Sequence, residues 1–444
     1  MQTSILWFKT DLRLYDNDTL AQAIAQSDTI IPVYCFDDAH YTTTKLGFKK
    51  TGALRAQFII ESVANLDERL RAVGSGLIVV KGDPAEQLVQ IAKQYNATTV
   101  FTKKEIAPEE ALTERKVANA LEAIGCNFKT IQLGTLYEEK DLPFTMQNLP
   151  EIFTNFRFKV EKTTSVKPVV PHPAKVPSPQ LPPTVLPTLQ ELGLQPEEQD
   201  SRASLHFKGG EKEGLNRVNT FFYDTHAVAT YKETRNELMG QNYSSKFGPW
   251  LAQGCLSARA IYHEIKDYEA EFGANQSTYW LIFELLWRDY FAFMMCKHNA
   301  KIFRKGGIKN QPPARPEHNE RIFRQWVNGE TGQDFVDANM LELKHTGYMS
   351  NRGRQNVASY LCHDLNIDWR YGAAYFEQQL IDYDVCNNWG NWAYIAGVGN
   401  DPREYRYFNI AKQAAEYDPS GAYRNLWLSY SPNNYNHNSY SQKL

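Results

Sequence analysis

The chain has 444 residues, with 48 Lys plus Arg against 51 Asp plus Glu for a formal net charge of -3, and is 42% hydrophobic and 22% charged. At ~150 residues per domain this is two or three domains with interior enough for a large ligand. It excludes a peptide hormone, a disordered chain and a histone-like polycation, so any nucleic-acid partner has to be held by a local basic patch.

The start, MQTSILWFKTDLR, has neither an apolar core behind a basic region nor a small-residue cleavage pattern, so no secretory signal is expected and the chain reads as cytoplasmic. Five short apolar runs, SILWF, TIIPVYCF, GLIVV, TTVFT and NFKTIQL, alternate with helical stretches at Ala53 to Arg71, Pro84 to Tyr95 and Pro108 to Ile124. That alternation predicts a parallel α/β sheet. The turn after the first run reads KTDLRLYDN and not GxGxxG, so a helix N-terminus gripping a pyrophosphate is not expected there. Lys167 to Pro187 holds eight prolines, which deny backbone donors and predict an extended linker. From about Phe207 the pattern is helical. The apolar STYWLIFELLWRDYFAFMM carries Glu284, Arg288 and Asp289 in its middle, which argues for a buried helix and against a membrane span. The six cysteines are scattered, with no CxxC or HExxH spacing, so they read as reduced thiols and no metal site is expected.

Eight of the nine tryptophans lie from Trp250 onward, which asks for flat, polarisable surface in the second half. Helical spacing puts Trp280, Glu284, Trp287, Arg288 and Phe291 on one broad face. Two readings stand: a core helix whose Glu284 is satisfied by Arg288, or a platform where a planar group stacks beside one carboxylate. In YKETRNELMGQNYSSKFGPWL, Ser244 and Ser245 are candidate N-caps, serving either as simple capping or as an anion site. GYMSNRGRQNV offers Asn351, Arg352 and Arg354 for phosphate or amide recognition, against a solvated basic turn. In LIDYDVCNNWGNWAYIAGVGNDPREYRYFN, Asp382, Asp384 and Asn388 precede Trp389, Trp392 and Tyr394. No supporting ligand pattern for a metal follows, and the set better suits a heteroaromatic cofactor read by its polar edge. With Trp369 these indoles offer an electron relay.

These segments, together with FKGGE, YSSKFGPWLAQGCLS, TGYMSNRGRQNVASYL and DWRYGAAYFE, resemble the photolyase/cryptochrome flavoproteins, specifically the cryptochrome DASH branch, from about Ile5 to the end of the helical part. The resemblance implies a five-stranded Rossmann-like α/β antenna-binding domain over 1–134, a linker over 135–205, an α-helical FAD- and DNA-binding domain over 206–430 and a polar tail over 431–444. It implies FAD with its phosphates near Tyr231, Ser244, Ser245, Lys246, Phe247 and Gly248. Trp280, Arg288, Asn351, Arg354, Asp382 and Asp384 would surround the cofactor, with Asn388 facing flavin N5. Glu284 would hydrogen-bond a flipped pyrimidine dimer, Trp287 and Tyr394 would stack on it, Asn351 and Gln355 would line its side, and Arg352 and Arg406 would hold its phosphates. A 5,10-methenyltetrahydrofolate antenna is implied between the domains, near Glu105 and Glu109.

The activity this implies is blue-light repair of cyclobutane dimers in DNA, in which the excited reduced flavin lends an electron to the dimer and recovers it. The rival reading is a blue-light photoreceptor or nucleic-acid-binding regulator without repair. Four positions depart from the family at large. Gly248 stands where serine is usual. The photoreduction chain finds Trp392 and Trp369, but Pro316 occupies the distal position, ten residues before Trp326. Gln355 and Tyr394 replace the methionine and tryptophan of ordinary dimer photolyases. These last two imply a shallower grip and a preference for single-stranded DNA, bound by a monomer.

Overall fold

The computed structural model describes residues 2–311, 319–403 and 406–429; the polar tail over 431–444 and Pro316 lie outside them. Five parallel strands, β1 (Thr3–Phe8), β2 (Thr29–Asp37), β3 (Ile78–Gly82), β4 (Thr99–Lys103) and β5 (Asn127–Ile131), form one sheet in the order β3-β2-β1-β4-β5. β1 pairs with both β2 and β4, and Ile5, Leu6, Trp7 and Phe8 are all buried. A central parallel strand covered on both faces has no polar side, which is why SILWF does not alternate.

Helices α1 (Asp18–Gln26), α2 (Ala53–Ala72), α3 (Pro84–Tyr95) and α4 (Pro108–Glu122) make the crossovers. Local chemistry sets their ends. Asp83 caps α3 by accepting from the Ala85 and Glu86 amides at 2.7 and 3.3 Å, Pro84 opens it, and Asn96 closes it in the left-handed region.

The stretch between the sheet and the helical part, expected to be linker over 135–205, contains a helix, α5 (Phe153–Thr163). Phe153, Phe156 and Val160 bury one side of α5 in the main core. The proline-rich segment then runs extended along the sheet domain, where the Val176 amide donates to the Val73 carbonyl and the Ile30 amide to the Pro177 carbonyl.

The helical part comprises α6 (Glu211–Asn219), α7 (Tyr231–Thr234), α8 (Gly248–Ala252), α9 (Ala258–Phe272), α10 (Gln276–His298), α11 (Glu320–Asn328), α12 (Asp334–Thr346), α13 (Asn351–Ser359), α14 (Trp369–Gln379), α15 (Val385–Ile395), α16 (Ile410–Tyr417) and α17 (Ala422–Leu428). The apolar run around Trp280 is α10, begun by a capping box between Asn275 and Thr278. Among the described residues no helix is long and apolar enough to cross a membrane.

The turn after β1 explains its own lack of glycines: it is a docking element. Glu211 accepts the Leu14 and Tyr15 amides at 2.9 and 3.0 Å and pairs with Arg69 at 2.6 Å. Arg259 of α9 bonds Asp16 and reaches Asp18 at 2.6 Å, and Asp16 also accepts from Ser257. Gly254 is obligatory there, since it has φ +65° and a Cβ would stand 2.1 Å from the Thr10 carbonyl oxygen. Asp289 of α10 accepts the Leu136 and Tyr137 amides at 2.9 and 3.0 Å. Sheet and helices are thereby locked together around the space between them.

Candidate functional site

The turn holding Ser244, Ser245, Lys246, Phe247 and Gly248 is shaped by Arg217, a residue that belongs to none of the sequence motifs. Arg217 of α6 donates to the carbonyls of Gln241, Ser244 and Ser245 at 3.0, 3.0 and 2.9 Å, and to Asn242 Oδ1 at 2.8 Å. A guanidinium that absorbs the carbonyls of a turn leaves its amides to face the other way, the arrangement an anion needs. The expected N-cap role of Ser244 and Ser245 does not hold. α8 begins at Gly248 with Phe247 in the cap position, because Lys246 at φ +54° turns the chain between the serines and the helix. The Lys246 side chain is buried, its Nζ has no hydrogen-bond partner, and it lies 3.5 Å over the Tyr243 ring. Burial pushes its pKa down to about 7, against the pull of Glu342. Tyr231 packs nearby against Phe221.

Facing this turn is the loop into α15. Asp384 caps that helix, accepting the Asn387 amide and side-chain Nδ2, both at 2.8 Å, and so fixes the helix carrying Asn388, Trp392 and Tyr394. Asp382 pairs with Arg354 of α13 at 2.8 Å through one oxygen, while Oδ1 is buried without a partner. Asn388 donates to the Ala373 carbonyl at 3.0 Å. Asn351, Arg354, Gln355, Asp382, Asn388 and Trp392 line one cavity. SNRGR is therefore the first turn of α13, capped by Ser350. Arg352 on the same helix bonds Gln355 and Asn236, each at 3.1 Å, and stacks over Tyr417.

On α10, Glu284 is not satisfied by Arg288: it pairs with Arg235 at 2.7 Å, and Arg288 instead donates to the Gly134 carbonyl at 3.1 Å. The reason is direction, since Arg288 points to the domain seam while Glu284 faces the YKETRN turn. Burial pushes the Glu284 pKa up and Arg235 draws it back. Trp280 stacks on Phe283 at 4.8 Å with Arg235 over its ring. Trp287 has Phe153 parallel to it at 3.7 Å and Tyr394 edge-on at 5.9 Å. Arg406 donates to the Tyr394 hydroxyl at 3.0 Å and pairs with Asp401. The face thus combines the Glu284 carboxylate, the rings of Trp280, Trp287 and Tyr394, and the guanidiniums of Arg235 and Arg406.

Trp392 contacts Trp326 at 6.2 Å and Phe376 at 5.1 Å, whereas Trp369 contacts Trp389 at 5.8 Å and donates to the Lys305 carbonyl. All are buried.

A second cavity lies between sheet and helices. Glu105 and Glu109 both line it, with Arg288, Arg55 and Tyr383. Glu105 accepts from Thr10 at 3.0 Å, and Lys103 and Lys9 outweigh its burial to hold its pKa down. Glu109 pairs with Lys50. Their neighbour Glu110 is pushed up to about 7 by burial, with the other carboxylates adding to it. Among the described residues no group of His, Cys, Asp and Glu is arranged to hold a metal ion.

A family model described as DNA photolyase matches residues 4–180, and another, described as the FAD binding domain of DNA photolyase, matches residues 280–443. The cryptochrome DASH of Synechocystis is 47% identical over 435 residues, 96% of this chain and 87% of that protein. A crystal structure of a Synechocystis cryptochrome superposes with a TM-score of 0.93 at 47% identity, covering 97% of this chain and 89% of that one. A class III photolyase from Agrobacterium tumefaciens gives 0.83 at 26% identity, covering 97% and 87%.

Proposed function

Since this chain belongs to the cryptochrome DASH branch of the photolyase/cryptochrome family, we propose that it is a blue-light-driven lyase that splits cyclobutane pyrimidine dimers, chiefly in single-stranded DNA. Its helical half is an FAD-binding domain of the photolyase type. The residues present fit that cofactor: Asp382 Oδ1 and Lys246 Nζ are buried polar atoms without hydrogen-bond partners. Bound FAD supplies the light-absorbing, redox-active ring, and the chain supplies position and exclusion of water. On this reading the turn from Ser244 to Gly248 holds the phosphates, with Tyr231 alongside, and Asp382, Asp384 and Asn388 meet the ring's polar edge.

The observation that carries the repair reading is the Arg235–Glu284 pair set between Trp280 and Trp287 with Tyr394 opposite. A half-buried carboxylate beside stacking surfaces suits a flipped dimer of adjacent pyrimidines whose edge must be hydrogen-bonded away from water. Arg352 and Arg406 flank that face and serve the DNA backbone, so affinity should fall steeply with salt. The cavity between the domains, with Glu105 and Glu109, takes the folate antenna.

The test is blue-light repair of a thymine dimer by the chemically reduced protein, on single-stranded and duplex oligonucleotides side by side, with dark and Glu284→Ala controls. Light-dependent repair favouring the single strand, lost in Glu284→Ala, is expected. No repair on either substrate by fully flavin-loaded protein would overturn the lyase reading in favour of a photoreceptor.

A further inference from the structure

Two cavities flank the loop that enters α15, and Tyr383, Asp384 and Asn387 line both of them. On the interdomain side, Arg55 of α2 is 4% exposed and lays its guanidinium 4.5 Å over the Tyr383 ring. Its Nη2 donates to Thr51 Oγ1 at 3.2 Å and to the Lys50 carbonyl, while Nη1 has no hydrogen-bond partner. On the inner side, the residues flanking Tyr383 are Asp382, with its unpartnered Oδ1, and Asp384, the cap of α15. Trp389 of α15 donates its Nε1 to the Tyr383 hydroxyl and to Glu377 at 3.3 and 3.2 Å, so the ring is tied into that helix as well.

A buried donor without an acceptor is unfavourable, and an acceptor atom on a ligand in the interdomain cavity relieves it. Satisfying Arg55 fixes the guanidinium over Tyr383, and fixing Tyr383 fixes the two carboxylates on either side of it. We propose that the Arg55–Tyr383 contact couples the two cavities: a heteroaromatic ligand whose acceptor edge reaches Arg55 slows release of the flavin from the inner one. By linkage, whatever factor the ligand adds to the flavin's equilibrium affinity, the flavin adds to the ligand's. The proposal rests on the antenna reading of the interdomain cavity and adds regulation to it.

The test follows flavin release from the FAD-loaded protein, by the rise in flavin fluorescence on dilution, with and without 5,10-methenyltetrahydrofolate at a concentration shown to saturate by equilibrium dialysis. Release by the wild type should slow about fivefold or more, a typical coupling, and by less than about twofold in Tyr383→Leu. Arg55→Lys, which keeps the charge and stem but not the second nitrogen, should behave likewise and serves if Tyr383→Leu does not hold flavin. A merely structural role would change release with and without folate alike and leave their ratio intact. Folate bound with release unchanged overturns the coupling alone, and equal slowing in wild type and variants overturns it too. No folate bound to the wild type takes down the antenna reading and the coupling with it.

Discussion

Gly248 and Asp382 meet with no room for a side chain between them: a Cβ on Gly248 would stand 2.7 Å from Asp382 Oδ2 and 3.0 Å from its Cβ. Since the same Oδ2 holds Arg354 at 2.8 Å, the glycine lets the aspartate reach its arginine across the start of α8. A serine at this position would push the carboxylate off that partner. Gly248→Ser should cost about 1–3 kcal/mol in urea unfolding, and clearly less in an Asp382→Ala background. Equal costs in both backgrounds would show that the contact is not the cause.

Arg235 is the cation that keeps Glu284 ionisable in crowded surroundings. Removing it leaves the burial that raises the carboxyl and deletes the charge that lowers it. In Arg235→Ala the pH midpoint of light-driven dimer repair assigned to Glu284 should therefore move up. A midpoint that stays put would mean that some other group holds Glu284.

Arg259 neutralises Asp16, a carboxylate 1% exposed at the seam between sheet and helices. Breaking one side of a buried pair leaves the other charge stranded, at a cost of about 3–5 kcal/mol. Arg259→Leu should lose that much in denaturant unfolding, and Asp16→Asn combined with it should recover part. A loss no larger than that of an exposed pair would contradict this account of the seam.

Burial lowers the Lys246 pKa from the ordinary 10.5 of an exposed lysine to about 7 in the folded chain. Between those values the unfolded chain binds the proton that the folded one has lost, so stability rises with pH across this window and is lowest below it. Lys246→Met should be more stable than the wild type at neutral pH, with the difference shrinking toward pH 10. Flavin-free protein is the material to use, since nearby phosphates would favour the ammonium form. Parallel stability curves for the two proteins would rule out the lysine as their source.

Much of the architecture is legible along the chain because its causes are local. SILWF is continuous because β1 is central, and Asp83-Pro84 at one end of α3 and Asn96 at the other are signals within a turn of the residues they cap. The α5 pattern, with Phe153, Phe156 and Val160 on one side, was equally local and was obscured by the prolines that follow it. Within the site, Asp382, Asp384 and Asn388 announce themselves because capping and the polar wall come from one short segment.

The partners of these side chains come from the tertiary packing. Arg217 grips carbonyls 24 to 28 positions away and Arg235 meets a carboxylate 49 positions away, and neither spacing leaves a periodic or capping signal. The same holds for Trp369 beside Trp389, for Arg288 turned to the seam, and for the single loop that walls two cavities. By itself the sequence determined the elements, their order and the residue types gathered for a flavin. Which charge faces which was settled by the docking of sheet on helices, because long side chains choose among acceptors only after packing has brought those acceptors within reach.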